Sequence, residues 1–317
     1  MAEPGIDSRP DCHKTDAAAV ERIDVSLIAP AFTFVPLFAG RRRGFFERRG
    51  IDCVYEFVGS GDAVTEALRT GRIQLAPNTP GGALADRASG GSLVVVGGLT
   101  NRLPFRLIGL PQHESLESLR GGTIGVSSLT EGTVYVIEAM LEAAGLRQPR
   151  DYQLEVVGAH PRRWELLQQG AIDAGLQLTP FDRIAIEAGF SDLGDPGEMF
   201  PEFAFSVLSV DEQWAAASSD MTVSILRALL EATDWLYGDL PGGADVLVEE
   251  TGVERRLAEL SMRDLVEGAV IPRDLEPTRT GLELVLRIMG DNGRLGDRAS
   301  LDPDDYLDLS YLERARA

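Results

Sequence analysis

An apolar segment, a loop of small residues and an amphipathic helix that ends at a glycine follow one another four times in the first two-thirds of the chain. The apolar segments have the length and composition of β-strands. The predicted strands are residues 23–29, 54–58, 123–126 and 154–157, and the helices that follow them are 36–49, 62–70, 131–144 and 161–169. Strands that alternate with helices form parallel sheets, in which ligands bind beyond the carboxyl ends of the strands. Each of the four loops is therefore a candidate wall of one binding site.

The pattern changes in the middle of the chain and again in its last third. Two further apolar segments, 93–96 and 105–110, end the first series, and another lies at 203–210. Beyond Asp220 the spacing of apolar residues predicts mainly helices, at 221–237, 244–250, 254–267 and 278–289. This order predicts an α/β protein with a middle lobe between two crossing segments, near 105–111 and 201–207. The last helices are expected to pack on the first lobe.

Composition narrows the class of protein. The chain has 317 residues, of which 44% are hydrophobic and 25% charged, as in a globular protein of about two domains. No apolar run approaches the roughly 18 residues of a membrane span, so we expect no direct membrane insertion. The net charge of −20 argues against nucleic acid as a partner, because phosphate binding needs a concentrated positive surface.

The chain has few residues that could bind a cofactor covalently or hold a metal ion. Lys14 is the only lysine, so a Schiff base has almost nowhere to form. Cys12 and Cys53 have neither CxxC nor metal-ligand spacing, and we predict no cofactor and no metal. Residues 1–20 are expected to form a disordered tail, and they lack the apolar core of a secretory leader. The protein is therefore expected in the cytoplasm if Met1 is the true start, and in the periplasm or another extracytoplasmic space if a leader was removed.

Short motifs along the chain resemble, in their order, the solute-binding proteins of ABC transporters for nitrate, sulfonates and taurine. The same class includes pyrimidine-precursor relatives of thiamine metabolism. The matching segments cover nearly the whole chain: Val35-Pro36-Leu37-Phe38-Ala39, Gly44-Phe45-Phe46, Gly50-Ile51-Asp52, Ala67-Leu68, Gly71-Arg72-Ile73, residues 118–126, Leu166-Leu167, residues 170–174 and Tyr311-Leu312.

The resemblance implies a periplasmic-binding-protein fold, in which two α/β lobes are joined by two crossing segments and close over one small ligand. It implies lobe 1 of residues 21–110 and 205–317 and lobe 2 of residues 111–204, which agrees with the predicted crossings. It also implies two partners, a small-molecule ligand and an ABC permease.

The loop before the third helix carries the most suggestive group of polar residues. Ser128, Thr130, Gly132 and Thr133 place hydroxyls and backbone N–H groups at a helix N-terminus, where anions bind through the helix dipole. The alternative is a plain helix cap made by Thr130. Glu131 would repel a sulfonate or nitrate unless it points away, and it would suit a hydroxyl, an amine or a ring nitrogen.

The other loops supply further candidate ligand contacts. Phe32 could stack on a planar ligand, or it could equally fill the core under the first helix. The remaining candidates are polar residues, each of which alone is more often a helix cap than a ligand contact. They are Ser60, Asn78, Thr79, Gln177 and Thr179, and their convergence at strand ends favours ligand binding.

Four arginines are candidate cations of the site, and one histidine is a candidate for catalysis. A cleft-facing cation could be Arg102, Arg106, Arg162 or Arg163, although the last two begin a helix, where a solvated face is the ordinary expectation. Arg106 lies among apolar neighbours, so a ligand anion or an acidic side chain would have to neutralise it. His160 is the one histidine at a strand end and is a further candidate ligand contact. It could also act as a general acid or base, while a surface or capping role is the simpler interpretation.

The sequence therefore favours a solute-binding protein that closes over one small polar organic molecule, a sulfonate, a carboxylate or a heteroaromatic, for ABC-type uptake. The first alternative is a cytosolic desulfinase-, decarboxylase- or lyase-like enzyme on the same scaffold, acting on a small aromatic or organic acid through His160 and Glu131. Desulfinase-like members use a cysteine in the first loop, where this chain has Ala31 and Phe32. The second alternative is a ligand sensor that docks a protein partner.

Overall fold

A computed structural model describes residues 20–127, 129, 132–158, 160–296 and 299–317. Apart from Val20, the predicted tail lies outside the described residues, as do the candidate contacts Ser128, Thr130 and Glu131. Within the described part, no helix is long and apolar enough to cross a membrane.

Within the described ranges, ten strands form the sheets of two lobes. They are β1 (Glu21–Leu27), β2 (Ile51–Phe57), β3 (Ala76–Asn78), β4 (Leu93–Thr100), β5 (Phe105–Gly109), β6 (Thr123–Val126), β7 (Gln153–Val156), β8 (Ala174–Leu178), β9 (Ser191–Gly194) and β10 (Ser206–Asp211). In the first lobe β1 pairs with β2 in parallel, and β10 lies antiparallel between β3 and β4. A parallel bridge between Val25 and Leu75 joins these two pieces at β1 and the start of β3. The second sheet has the order β7-β6-β8-β5-β9.

Thirteen α-helices accompany the strands in the part of the chain that the structure describes. They are α1 (Val35–Arg42), α2 (Gly61–Arg69), α3 (Gly81–Ala88), α4 (Gly132–Ala143), α5 (His160–Gln168), α6 (Phe181–Glu187), α7 (Pro196–Met199), α8 (Glu212–Ala217), α9 (Ser219–Gly238), α10 (Leu240–Thr251), α11 (Arg255–Glu267), α12 (Arg279–Asp291) and α13 (Ser310–Arg316). The four predicted repeats are present as β1-α1, β2-α2, β6-α4 and β7-α5. The first helix is shorter than predicted because the chain turns at Gly44, whose φ of +73° is left-handed.

The pairing of β5 corrects one predicted boundary. The predicted lobe 1 ended at residue 110, but β5 lies between β8 and β9 in the second sheet, with Phe105 opposite Leu178 and Arg106 opposite Gln177. We therefore propose residues 101–104 as the first crossing segment and residues 200–205 as the second. The two crossing segments run side by side, since the N–H of Phe203 donates to the carbonyl of Asn101 at 3.0 Å. We propose β1–β4 with β10 as the sheet of lobe 1 and β5–β9 as the sheet of lobe 2.

The last helices bury their apolar faces mainly in the core of the first lobe. Leu226 of α9, Leu247 of α10, Met262 of α11 and Leu312 of α13 share one buried cluster with β1 and α1. Helix α12 behaves differently, because Leu286 belongs to the cluster that contains the residues of β6 and α4. Helix α12 therefore lies against both lobes.

Candidate functional site

A cavity of about 540 Å³ opens where the carboxyl ends of the strands in both lobes face each other. The loops after β1, β2 and β3 form its first wall, and residues after β6 and β7 and the end of β8 form its second. Of the twelve predicted ligand contacts, five line this cavity: Ser60, Asn78, Thr79, Thr133 and His160. Residues from loops that are distant in the sequence thus meet at one cavity.

Two of these five use their polar atoms to hold the wall together. The Ser60 hydroxyl caps α2 by accepting a hydrogen bond from the N–H of Ala63 at 3.2 Å. The Asn78 amide donates to the carbonyl of Gly61 at 3.0 Å and accepts from the N–H of Thr79 at 2.8 Å. The capping interpretation therefore accounts for both residues, which shape the cavity from lobe 1.

Phe32, Thr179 and Gln177 lie away from the cavity lining. Phe32 is 3% exposed in the core of lobe 1, and Phe34 lines the cavity instead, because the turn of 3-10 helix over Phe32–Phe34 directs them differently. Gly132 begins α4. The Thr179 hydroxyl is buried and bonds to the Ser261 hydroxyl of α11 at 2.9 Å, which joins lobe 2 to lobe 1. Gln177 is fully buried in β8.

Arg163 is a buried cation at the cavity wall, which Arg294 also lines, in contrast to the solvated face expected for it. Its side chain lines the cavity, yet the residue is only 3% exposed. One terminal nitrogen donates to Nδ1 of His160 at 2.6 Å, while Nε has no partner among the described residues. No acidic side chain in the described ranges lies within ion-pair distance of it. Burial lowers the pKa of Arg163 from 12.5 to about 10, so the guanidinium remains charged at neutral pH.

Two glycines on neighbouring strands make room for Arg163. Gly125 of β6 lies opposite Gly175 of β8. A Cβ on Gly175 would lie 2.8 Å from Cδ of Arg163, and one on Gly125 would lie 3.5 Å from its Cγ. The arginine stem therefore lies over a strip of sheet that carries no side chains. This glycine pair was the signal in the sequence that could have identified a buried arginine.

His160 is held as a neutral hydrogen-bond donor. Because arginine has no acceptor atom, Nδ1 of His160 accepts the Arg163 hydrogen bond and the ring proton lies on Nε2. Burial, and secondarily the charge of Arg163, hold the pKa of His160 well below its ordinary value. The imidazole ring lies 5.4 Å from the ring of Phe105, which in turn meets Phe205 edge-on at 5.0 Å. These contacts fix the imidazole at the cavity wall.

The other candidate cations are occupied elsewhere or lie in solvent. Arg106 bonds to Asp192 at 2.6 Å and lies 3.5 Å from Asp195, so acidic side chains neutralise it. Arg162 is exposed and bonds to Glu165 at 2.9 Å, and Arg102 is exposed.

Apolar side chains make up much of the remaining cavity wall. They come from both lobes, the crossing segments and α12, and they include Phe34, Leu178, Phe203, Val285, Ile288 and Met289.

Cys53 lies apart from the cavity in the core of lobe 1, where burial raises the pKa of its thiol to about 12. Across the described ranges, no group of three or more histidine, cysteine or acidic side chains could hold a metal ion.

Two α/β lobes that enclose one cavity at their facing strand ends define the periplasmic-binding-protein fold. Comparison with known families agrees with this fold. The chain belongs to the NMT1/THI5 like family, whose model matches residues 31–240.

The similar proteins include both an enzyme and solute-binding proteins. The Saccharomyces cerevisiae 4-amino-5-hydroxymethyl-2-methylpyrimidine phosphate synthase THI5 is 22% identical over 222 residues, which is 65% of this chain and 64% of that protein. The periplasmic nitrate-binding protein NrtA of Synechocystis has a TM-score of 0.78 at 12% identity, over 93% of this chain and 88% of that one. The periplasmic aliphatic sulphonate binding protein SsuA of Escherichia coli has a TM-score of 0.71 at 15% identity, over 92% and 99%.

Proposed function

We propose that this protein is a solute-binding protein that closes over one small organic anion and holds its carboxylate or sulfonate at Arg163. The observation that carries the proposal is a buried, charged guanidinium at the cavity wall without a carboxylate partner in the described part of the chain. A buried charge is costly unless it is paired. An anionic ligand would supply the missing partner.

His160 supports the same orientation of the ligand. Once Nδ1 accepts from Arg163, its Nε2–H can donate to a ligand, since it has no hydrogen-bond partner among the described residues. A neutral donor beside a fixed cation stabilises an anion without adding a group that titrates at neutral pH. Together these two side chains would form the polar end of the ligand site in lobe 2.

The size and lining of the cavity favour a ligand with an apolar or aromatic body. A volume of about 540 Å³ lies within the range of organic-ligand pockets and far exceeds what a bare inorganic anion fills. Phe34 and Phe203 offer faces on which a planar body could pack. Delivery to an ABC permease is the role we propose for the closed form, in line with the transport proteins that share this fold.

Titration calorimetry with three compounds of one shape tests this proposal. Benzenesulfonate and phenylacetate carry the anion, and benzyl alcohol lacks it. We expect both anions to bind and to stabilise the protein thermally, and the alcohol to bind far more weakly. Equal binding of all three would contradict the role of Arg163, and binding of none would contradict the organic-anion site.

The enzyme alternative has one observation in its favour, which is the imidazole of His160 at the cavity wall. The chain spans 64% of the length of the curated synthase that it matches, so that activity is here only a proposal. An enzyme would convert the compound that it binds, and His160→Ala would abolish conversion while binding persists. Mass spectrometry of the bound compound after prolonged incubation would distinguish conversion from simple binding. Recovery of the unchanged compound is expected for a solute-binding protein.

A further inference from the structure

Arg294 is a second cation that lines the cavity. The chain turns directly after α12 at Gly293, whose φ of +66° is left-handed. The N–H of Arg294 donates to the carbonyl of Met289 at 2.8 Å, and the next residue, Leu295, is buried in the core. These contacts fix the backbone of Arg294 to the end of the helix. Arg294 is half-buried, and no acidic side chain in the described ranges lies within ion-pair distance of it.

The two cations approach the cavity from opposite faces of the second sheet. Successive residues of a strand point to opposite faces. Gly125 faces the stem of Arg163, whereas its neighbours Ile124 and Val126 share a buried cluster with residues of α4 and α12. Arg163 therefore lies on one face of the sheet, and the end of α12 with Arg294 lies on the other. We therefore expect the two guanidinium groups to contact different parts of a ligand.

Tyr135 of α4 adds a hydrogen-bond donor near Arg294. It lines the cavity and packs in one cluster with Ala85 of α3 and Met289 of α12, which also line it. Burial raises the pKa of the Tyr135 hydroxyl more than the nearby charge of Arg294 lowers it, so the hydroxyl keeps its proton at neutral pH. A guanidinium and a hydroxyl in an apolar surrounding suit an acid group with an apolar body attached to it.

Two carboxylates also line the cavity, both on the wall of lobe 1. Asp86 accepts a hydrogen bond from the N–H of Leu93 at 3.1 Å, which holds it beside the start of β4. Asp62 is exposed in the first turn of α2. Because like charges repel, the acid groups of a ligand are expected at the arginines and away from this wall.

We propose that Arg294 is a second anion-binding residue of the cavity and that the ligand is an organic dianion, with one acid group for Arg163 and another at its far end for Arg294. The inference rests on the proposed function, because the first acid group must pair with Arg163. Arg294 and the Tyr135 hydroxyl would hold the second acid group, and the apolar wall would contact the body between them. Dicarboxylates and sulfocarboxylates have this chemistry.

Linear dicarboxylates from succinate to azelate, each compared with its own monoamide, test the second acid group. The members of a pair have the same length and differ by one negative charge. In calorimetric titration of the unaltered protein, we expect one chain length or two neighbouring ones at which the dicarboxylate binds at least about tenfold more tightly than its monoamide, as a hydrogen-bonded ion pair allows. Shorter dicarboxylates should show no such preference, because they reach only one arginine.

Two variants assign the preference to residues. Arg294→Gln removes the charge, keeps a polar side chain and should abolish the preference for the dicarboxylate over its monoamide. Arg287→Gln is the matched control, because Arg287 is an exposed arginine of α12 that does not line the cavity, and it should keep the preference. Tyr135→Phe removes only a hydroxyl and should reduce the preference in part, which keeps the assignment testable if Arg294→Gln fails to fold.

Each contrary outcome has a separate meaning. A preference that Arg294→Gln retains in full would overturn the assignment of the second acid group to Arg294. A preference of no more than about twofold at every chain length, which two equivalent acid ends give by statistics alone, would overturn the dianion while leaving the organic-anion site intact. This comparison needs only the unaltered protein. If none of these compounds binds and benzenesulfonate does not bind either, the proposed function is contradicted and the inference with it.

Discussion

Replacing Arg163 by methionine should stabilise the ligand-free protein while weakening ligand binding. Burial lowers the pKa of Arg163 from 12.5 to about 10. Since a pKa shift of one unit corresponds to about 1.4 kcal/mol, holding the charged guanidinium in the folded protein costs about 3 kcal/mol. Methionine keeps much of the apolar stem over Gly175 but removes the charge. It also removes the hydrogen bond to His160, worth about 1 kcal/mol, so we expect a net gain of roughly 1–2 kcal/mol in the free energy of unfolding.

The effect on affinity should have the opposite sign. Removing one partner of a buried, hydrogen-bonded charge pair costs about 2–5 kcal/mol of binding free energy, which corresponds to a loss of roughly 30-fold to several thousand-fold in affinity. A group that is important only for folding would not show this separation, because its loss would lower stability and affinity together.

Urea unfolding of the ligand-free protein and calorimetric titration with benzenesulfonate measure the two quantities. Arg162→Met is the matched control, because Arg162 lies in the first turn of the same helix, is exposed and, among the described residues, pairs only with Glu165. We expect the control to change both quantities by less than about 0.5 kcal/mol. A lower free energy of unfolding in Arg163→Met, or binding of benzenesulfonate as tight as in the unaltered protein, would show that Arg163 is not an unpaired buried charge that awaits an anion.

Three further changes test other parts of the structure. Gly175→Ala should displace Arg163 and weaken benzenesulfonate binding measured by calorimetry, because the new Cβ would lie 2.8 Å from Cδ of the arginine, and unchanged affinity would contradict this. Arg256 of α11 pairs with Glu187 of α6 across the lobes at 2.7 Å, so Arg256→Glu should speed benzenesulfonate dissociation a few-fold in stopped flow. Adding Glu187→Arg should restore the original dissociation rate. An unchanged rate in the single variant would argue that this ion pair does not hold the lobes closed. Burial raises the pKa of Asp182 from 3.8 to about 6. Between these two pH values the folded protein holds a proton that the unfolded chain has released. The free energy of unfolding therefore falls as the pH rises from 3.8 to about 6. Asp182→Asn should therefore stabilise the protein above about pH 6 and have little effect below about pH 4 in urea unfolding, and an equal effect at both pH values would refute the assignment.

Helices and strands followed closely from local patterns. The predicted helices 221–237 and 254–267 correspond to Ser219–Gly238 and Arg255–Glu267. Both have wide apolar faces, and an amphipathic helix is specified by neighbours three and four residues apart. The short strand Ala76–Asn78 was not predicted, because three residues carry too little periodicity to distinguish a strand from a loop.

The local pattern also determined which loops line the site, whereas packing decided what individual side chains do there. Asn78 and His160 meet at one cavity because the carboxyl ends of parallel strands gather at one edge of each sheet. Thr179 was expected to contact the ligand, but its hydroxyl bonds instead to Ser261, 82 residues further along the chain. Sequence spacing within a loop carries no information about such a distant partner.

Arg163 illustrates the division between sequence and tertiary structure most directly. The sequence by itself determined the repeated strand–loop–helix units, and hence that residues near 160 begin a helix beside the cavity. It did not determine that Arg163 is buried and Arg162 exposed, because two basic neighbours at a helix start look alike along the chain. That difference arose when β6 paired with β8 and set Gly125 opposite Gly175. Only the register between distant strands could create the space in which an arginine lies buried.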